Sequence, residues 1–265
     1  MSQKSELYDL HCHSTCSDGT KPPGELLHLA KKAGLTGLSI TDHDTLDAYT
    51  PEFFKEAEEL GIRILVGIEC SSEYKGESVH ILGYRLDLQS PATQDLLTAL
   101  SNARNKRNQL LVDRLKRAGI DCSSLFTEEK LIGRPHIAKW LIQQGYTSSI
   151  REGFDRYLKE ELGSFLTSIQ VIEAIRLAGG KAILAHPHIV KHAGSLLQLP
   201  FDGLECHYGR ATHKQNKPWI KVARAKGWII TGGSDYHGSN TPHLSLGCTW
   251  VDSESCSALF GINPD

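Results

Sequence analysis

His11 and His13 are separated by one residue, and so are Asp235 and His237. On a β-strand, residues i and i+2 point to the same side, so each pair can grip a single ion. Cys12 points the other way and is expected in the core rather than as a thiolate ligand. Further ionisable residues follow or close other short apolar segments: Thr41-Asp42-His43-Asp44, Glu69, His80, Ala185-His186-Pro187 and Glu205-Cys206-His207. A lone histidine at a strand end is usually a satisfied polar residue. Two paired spacings joined by isolated His and Glu residues on other strands form the pattern of a metal site. The 13 histidines of the 265-residue chain supply the commonest metal ligand in excess. Imidazole and carboxylate donors suit Zn, Mn or Fe better than Ca. One of Asp42 and Asp44, which flank His43, is expected to orient a ligand imidazole through a hydrogen bond, and Asp9 to do the same for the first pair, with polar capping of a strand end as the alternative role. His28, Cys122 and His243 lack such a context and are expected at structural or surface positions, whereas His188 and His192 lie beyond a strand end as weaker candidates for substrate contact.

The segments that must bring these residues together alternate in type. Strand patterns cover Leu7–Cys12, Leu38–Thr41, Arg63–Cys70, Val79–Leu86, Ala182–Ala185, Leu204–His207 and Trp228–Thr231. Helix patterns cover Pro22–Gly34, Pro51–Leu60, Ile169–Ala178 and Lys217–Ala225. Strands alternating with helices argue for a parallel sheet covered on both faces. Roughly seven strands suffice for a barrel, in which the C-terminal strand ends share the face that carries the active site. Between about Asp87 and Lys181 no strand pattern appears, and Ala92–Ala118 and His136–Gln144 read as helices. The expectation is an α/β body formed by residues 1–88 and 169–265, interrupted by a mostly helical insertion, residues 89–168, that covers the active site. The stretch Asn102–Arg117 carries Arg104, Lys106, Arg107, Arg114, Lys116 and Arg117. It is expected as an exposed helix face, one that would steer RNA by its backbone if it lined the cleft.

The segments DLHCHSTCSDGT (Asp9–Thr20), ITDHDT (Ile40–Thr45), GIECSS (Gly67–Ser72), HILGY (His80–Tyr84), AHP (Ala185–Pro187) and GSDYHG (Gly233–Gly238) resemble, in order and over nearly the whole chain, those of the PHP (polymerase and histidinol phosphatase) superfamily. The resemblance implies a distorted (β/α)7 barrel with a trinuclear metal centre. It places His11, His13, Glu69 and Asp235 on a first ion, Glu69 as a bridge with His80 and His186 on a second, and Asp18, His43 and His237 on a third. Three divalent ions are implied, Mn, Zn or Fe, with Mg as a further option.

GRPHIAKWLI (Gly133–Ile142), inside the insertion, resembles the branch of nucleotide phosphatases and 5′-to-3′ exoribonucleases. That branch implies release of phosphate from 3′,5′-bisphosphonucleotides such as pAp or from AMP, and exonuclease action on short RNA, by attack of a hydroxide held between metals. Glu69 and Asp235 would belong to the catalytic centre. Arg134 would clamp phosphate, since a guanidinium binds two oxygens at once, and His136 would contact phosphate or protonate the leaving oxygen. Arg210 and His213 are weaker substrate-binding candidates. His207 stands where the family segment usually carries tyrosine. Two other readings stay open at this point: a phosphatase of small monoesters such as histidinol phosphate, and a non-catalytic, metal-stabilised interaction module.

Composition narrows the field from the other side. Hydrophobic residues make up 40% and charged residues 23%, ordinary for a globular chain and unlike a disordered one. A net charge of −2 excludes a generally basic coat for nucleic acid but not a local basic groove. No apolar run approaches the ~20 residues of a membrane span, and the start MSQKSELYDLHCH lacks an apolar signal region, so a cytoplasmic protein is expected. The seven cysteines form no CxxC pair and read as reduced thiols. Neither duplex DNA nor a membrane is an expected partner, and protein partners are not legible.

Overall fold

The computed structural model describes residues 6–126, 132–158 and 165–260. The chain begins with strand β1 (Leu7–Cys12), helix α1 (Pro23–Lys32), strand β2 (Gly37–Ile40), helix α2 (Pro51–Leu60) and the short strand β3 (Arg63–Ile64). Helix α2 starts where the Thr50 hydroxyl accepts the Phe53 N–H and stops at Gly61, whose φ of 66° is the left-handed conformation that glycine adopts without cost. Next come β4 (Gly67–Tyr74) and β5 (Glu77–Tyr84). The insertion supplies α3 (Pro91–Arg117), α4 (Arg134–Gln143) and α5 (Ile150–Arg156). The body resumes with α6 (Ser168–Leu177), β6 (Lys181–Leu184), α7 (Ala193–Leu196), β7 (Gly203–Tyr208), α8 (His213–Lys226), β8 (Ile229–Gly233), β9 (Val251–Asp252) and α9 (Ser257–Phe260).

The strands form two mixed sheets, in the orders β3-β2-β1-β9 and β4-β5-β6-β7-β8. This corrects the expectation of a wholly parallel arrangement. β5 runs antiparallel to both β4 and β6, and β9 runs antiparallel to β1. The predicted strand Arg63–Cys70 is split, with its first part in one sheet and its second in the other. β4 does not end near Glu69 but continues into a hairpin closed by Lys75 and Gly76, both at positive φ, the two-residue turn whose twist suits paired strands. His80 consequently lies within an antiparallel strand rather than at the end of a parallel one.

The sheets do not close into one continuous ladder, so the coarser reading, an α/β fold with mixed sheets, is what holds. Single bridges join them at two seams. One pairs Cys12 with Tyr236, reinforced by the His13 N–H donating to the Tyr236 carbonyl and the Asp235 N–H donating to the His11 carbonyl. The other pairs His43 with Glu69. At the first seam Gly233 is required, because a Cβ there would fall 2.4 Å from the His11 nitrogen. Both seams carry residues singled out from the sequence.

One core lies around the sheets, including Leu10, Leu38, Ile68, Ile81, Leu82, Ile183 and Leu204. A second apolar cluster, including Leu111, Leu115, Ile137, Ala138, Leu141 and Leu158, lies within the insertion. Among the described residues no strand interrupts residues 87–180, as expected, while 127–131 and 159–164 of the insertion lie outside the described residues. No described helix is long and apolar enough to cross a membrane.

Candidate metal centre and phosphate pocket

The two seams and the strand ends bring six imidazoles and three carboxylates together. His11 and His13 project from the end of β1 with their Nε2 atoms 3.2 Å apart, as period-two spacing predicts. Cys12 is buried between them on the opposite side, and its thiol donates to the Ser39 carbonyl. Glu69, 1% exposed, is the hub. Its Oε1 lies 2.9 Å from His80 Nδ1 and 2.9 Å from His186 Nε2. Its Oε2 lies 3.4 Å from His11 Nε2, 3.2 Å from His13 Nε2 and 3.2 Å from His43 Nδ1. The two oxygens of one carboxylate thus serve two different sets of imidazoles. Asp235 Oδ1 faces His11, His13 and His237 at 3.5–3.6 Å. Asp18 approaches His237 Nε2 at 3.3 Å, and His13 and His43 at 3.8 Å.

Donor atoms converge in three overlapping groups: His13, Asp18, His43 and His237; His11, His13 and Glu69; and His43, Glu69 and His80. The buried atoms His13 Nδ1, Asp18 Oδ1, His43 Nδ1 and His186 Nδ1 have no hydrogen-bond partner. Leaving buried polar atoms unsatisfied is costly, and nitrogen and carboxylate donors gathered this closely fit divalent cations of the Zn, Mn or Fe type. Seven of the nine residues named as ligands on resemblance stand in these groups, and the other two lie beside them, Asp235 Oδ1 3.5 Å from His11 Nε2 and His186 Nε2 2.9 Å from Glu69 Oε1.

The electrostatics agree. Burial alone would raise the Glu69 carboxyl, but His80, His43 and His11 outweigh it and hold the group well below the usual carboxylate range. Burial likewise opposes charge on His13, yet the Asp235 and Glu69 carboxylates lift that imidazole to about 10. His43 goes the other way, because burial dominates and lowers it to about 3. Backbone strain marks the same place. Asp44, His186 and Asp235 all have positive φ, uncommon for residues other than glycine and concentrated at functional sites.

The residues supporting the cluster differ from those expected. Asp9 accepts the N–H groups of His11, Ser234 and Gly247. Asp42 accepts from Ser14 and Ser17, and Asp44 from the Ser71 N–H and Arg104. These carboxylates brace the loops rather than the imidazole rings. Glu205, fully buried, does what Asp9 was expected to do: its Oε1 lies 2.8 Å from His11 Nδ1, while its Oε2 accepts the His186 N–H at 2.6 Å. A bulge in β7 between Glu205 and His207 breaks the strand alternation. Tyr208 is thereby turned to the site, where its hydroxyl donates to Asp235 Oδ2 at 3.1 Å. Arg210 pairs with the same oxygen at 3.1 Å. His188 stacks on Tyr208, and His213 is exposed at the start of α8.

Beside the cluster lies a cavity of about 110 Å³, lined by Asp18, His43 and His80 of the cluster together with Arg104, Arg107, Arg134 and His136 of the insertion. Contrary to the expected exposed face, Arg104 and Arg107 are 5% and 4% exposed. Arg104 donates through Nε and Nη2 to Asp44 Oδ2, and Arg107 lies over the Phe165 ring. Arg134 opens α4 with Pro135 behind it and stands over Phe154. The Gly133 N–H donates to His136 Nδ1 at 3.0 Å, so the neutral ring carries its proton on Nε2.

Comparison with known proteins gives this geometry its context. A crystal structure described as that of a metal-dependent phosphoesterase from Bifidobacterium adolescentis superposes with a TM-score of 0.81 at 27% identity, covering 99% of this chain and 98% of that one. The fold and the donor cluster are those of a hydrolase acting on phosphate esters. The family model of the PHP domain matches residues 9–160, and the chain belongs to that family. It is 32% identical to the 5′-3′ exoribonuclease of Haemophilus influenzae over 94% of this chain and 93% of that protein. It is 28% identical to the 3′,5′-nucleoside bisphosphate phosphatase of Chromobacterium violaceum over 91% and 90% of the two chains.

Proposed function

We propose that this protein hydrolyses phosphate esters of nucleotides, 3′,5′-bisphosphonucleotides such as pAp or the monophosphate AMP, and removes nucleotides from the 5′ end of short RNA. The observation that carries the reading is a cavity whose lining joins Asp18, His43 and His80 to Arg104, Arg107 and Arg134. The carboxylate and imidazoles of that lining suit cations, and its guanidiniums suit the oxygens of a phosphate. At about 110 Å³ the cavity admits a phosphoryl group but is smaller than the ~300–1,000 Å³ sites that enclose whole ligands, so the nucleoside or chain extends outside it.

On this reading a first ion takes His11, His13, Glu69 and Asp235, a second takes Glu69, His80 and His186, and a third takes Asp18, His43 and His237. Divalent ions held there supply hydroxide at neutral pH and neutralise phosphoryl charge. The remaining work belongs to the chain. Arg134 clamps two phosphate oxygens, and the start of α4 adds the positive end of its helix dipole. His136 donates from Nε2 to phosphate, the role that suits a neutral ring better than release of a proton. Tyr208 and Arg210 occupy Asp235 Oδ2 and so aim Oδ1 at the imidazoles. Residues 1–88 and 169–265 form the catalytic body, a (β/α)7 barrel opened at its two seams, and residues 89–168 form the cover; the separate apolar cluster of the insertion supports that division. The seven unpaired cysteines suit the reducing cytoplasm.

The test is release of phosphate and nucleotides from pAp, AMP, histidinol phosphate and a 5′-phosphorylated RNA pentamer, with Mn²⁺ restored after chelation. Turnover of the nucleotides, or stepwise shortening of the RNA, is the expected result. Turnover of histidinol phosphate alone, or of nothing, overturns the reading.

A further inference from the structure

Helix α8 contains Lys214, Lys217, Lys221, Arg224 and Lys226 and no acidic residue, although the whole chain has a net charge of −2. His213, Lys217, Lys221 and Arg224 follow one another at steps of four, four and three and so share one helix face. Together with Ile220 they line an open groove. Among the described residues no carboxylate pairs with Lys214, Lys217, Lys221 or Arg224. The helix therefore tolerates like charges at Lys217/Lys221 and Lys221/Arg224, each such pair opposing helix formation by about 0.2–0.5 kcal/mol. An anion lying along this face would offset that repulsion.

The position of the stripe indicates which anion. Its first residue follows Arg210, which pairs with Asp235 in the metal cluster, by three residues. From His213 to Arg224 is eleven residues, about 16 Å of helix at 1.5 Å each. That length matches four to five phosphates at the ~3.4 Å spacing of a stacked strand. A compact anion would need one or two of these cations, whereas a linear polyanion uses the whole row.

We propose that this face of α8 binds the backbone of single-stranded RNA, holding the chain downstream of the phosphate being hydrolysed. The proposal rests on the reading that the cleft accepts RNA, and it assigns to α8 the selection of oligonucleotides over mononucleotides.

The experiment measures binding of a fluorescently labelled 5′-phosphorylated RNA decamer by anisotropy, in chelator, between 50 and 200 mM salt. It compares wild type, Lys217→Ala/Lys221→Ala and the charge-matched control Lys32→Ala/Lys55→Ala, all shown to be folded by circular dichroism. At a slope of about −0.7 per contacted phosphate for single strands, loss of two contacts flattens the salt dependence by about 1.4. The advantage of wild type over the α8 variant then shrinks about sevenfold across that fourfold salt range. The control should behave as wild type. Equal slopes for wild type and the α8 variant, or an equal effect of the control, overturn the proposal, as does wild-type binding to acidic phospholipid vesicles or poly-glutamate but not to RNA. Because binding is read without turnover, the two failures are distinguishable. Hydrolysis of pAp with no RNA binding to α8 leaves the phosphoesterase reading standing, and RNA binding without hydrolysis of any ester leaves the α8 proposal standing.

Discussion

Replacing Glu205 by glutamine should loosen the metal cluster without emptying it. Glu205 is fully buried and accepts twice, from His11 Nδ1 at 2.8 Å and from the His186 N–H at 2.6 Å. Glutamine has the same shape but one accepting oxygen. Whichever way the amide turns, its NH2 faces a group that must donate, and one donor is left without an acceptor. A buried unsatisfied donor costs about 1–3 kcal/mol. Partners of this kind, behind a ligand imidazole, typically contribute 10–100-fold to metal affinity or activity, about 1.4–2.7 kcal/mol, and the two ranges coincide. The expected result is a 10–100-fold rise in the Mn²⁺ concentration for half-maximal turnover, read by phosphate release against buffered metal. Excess metal should restore a substantial part of the rate, because every proposed ligand is still present. A purely structural role would instead lower the melting temperature and leave metal dependence unchanged. If Glu205→Gln stays within twofold of wild type in metal affinity, the assignment of Glu205 as the group that orients His11 and His186 is refuted.

Glu69→Gln should lower turnover at least a hundredfold even at high metal, since both oxygens of the carboxylate face imidazoles; steady-state rates with residual metal content measured in parallel decide it. Arg134→Ala should raise KM for pAp by about 10–100-fold, the value of a charge-assisted hydrogen bond of about 1.5–3 kcal/mol, and an unchanged KM would remove Arg134 from the phosphate site. In chelator, the folded-state value of His13, about 10, lies above the unfolded one near 6.5. Its contribution to stability is therefore complete below pH ~6.5 and lost as pH rises toward 10, so melting temperature should fall between pH 7 and 9.5; metal-loaded protein should gain relative to chelated protein over the same interval, because ligands must lose protons to bind. Iodoacetamide at pH 8 should label exposed Cys248 first, while Cys206 and Cys256, pushed up to about 12 by burial, react only on unfolding, as peptide mass spectrometry would show.

The His11/His13 pair was legible because strand period two is strict, and the end of β1 carries both to one point as that period requires, whereas Asp235 and His237 lie beyond β8, with Asp235 at positive φ, and reach the cluster without strand alternation. Strand direction leaves no such trace. Alternation along Gly67–Tyr74 and Glu77–Tyr84 reads the same whether the strands are parallel or antiparallel, and the available signal was the two-residue turn Lys75-Gly76. The bulge that exchanges His207 for Tyr208 was equally invisible, since one extra residue in a ladder reverses which side chains face the site.

The arginines of α3 carry a different lesson. Charges are spread all round this 27-residue helix, so counting them suggests a solvated face. Its buried stripe runs Leu96, Leu100, Arg104, Arg107, Asn108, Leu111, Leu115. Leu96 and Leu100 belong to the core around the sheets, and Leu111 and Leu115 to the core of the insertion. Three polar residues interrupt an apolar stripe between two cores. A guanidinium buried there needs a partner or an anion, because desolvation of an unpaired charge costs more than any packing it could gain. Arg104 meets that demand with Asp44, next in sequence to the cluster residue His43, and thereby ties the insertion to the metal centre. The break in the leucine stripe marks where the two cores part to leave a polar cavity, and its periodicity, rather than the count of charges, is the signal that would have placed Arg104 and Arg107 inside.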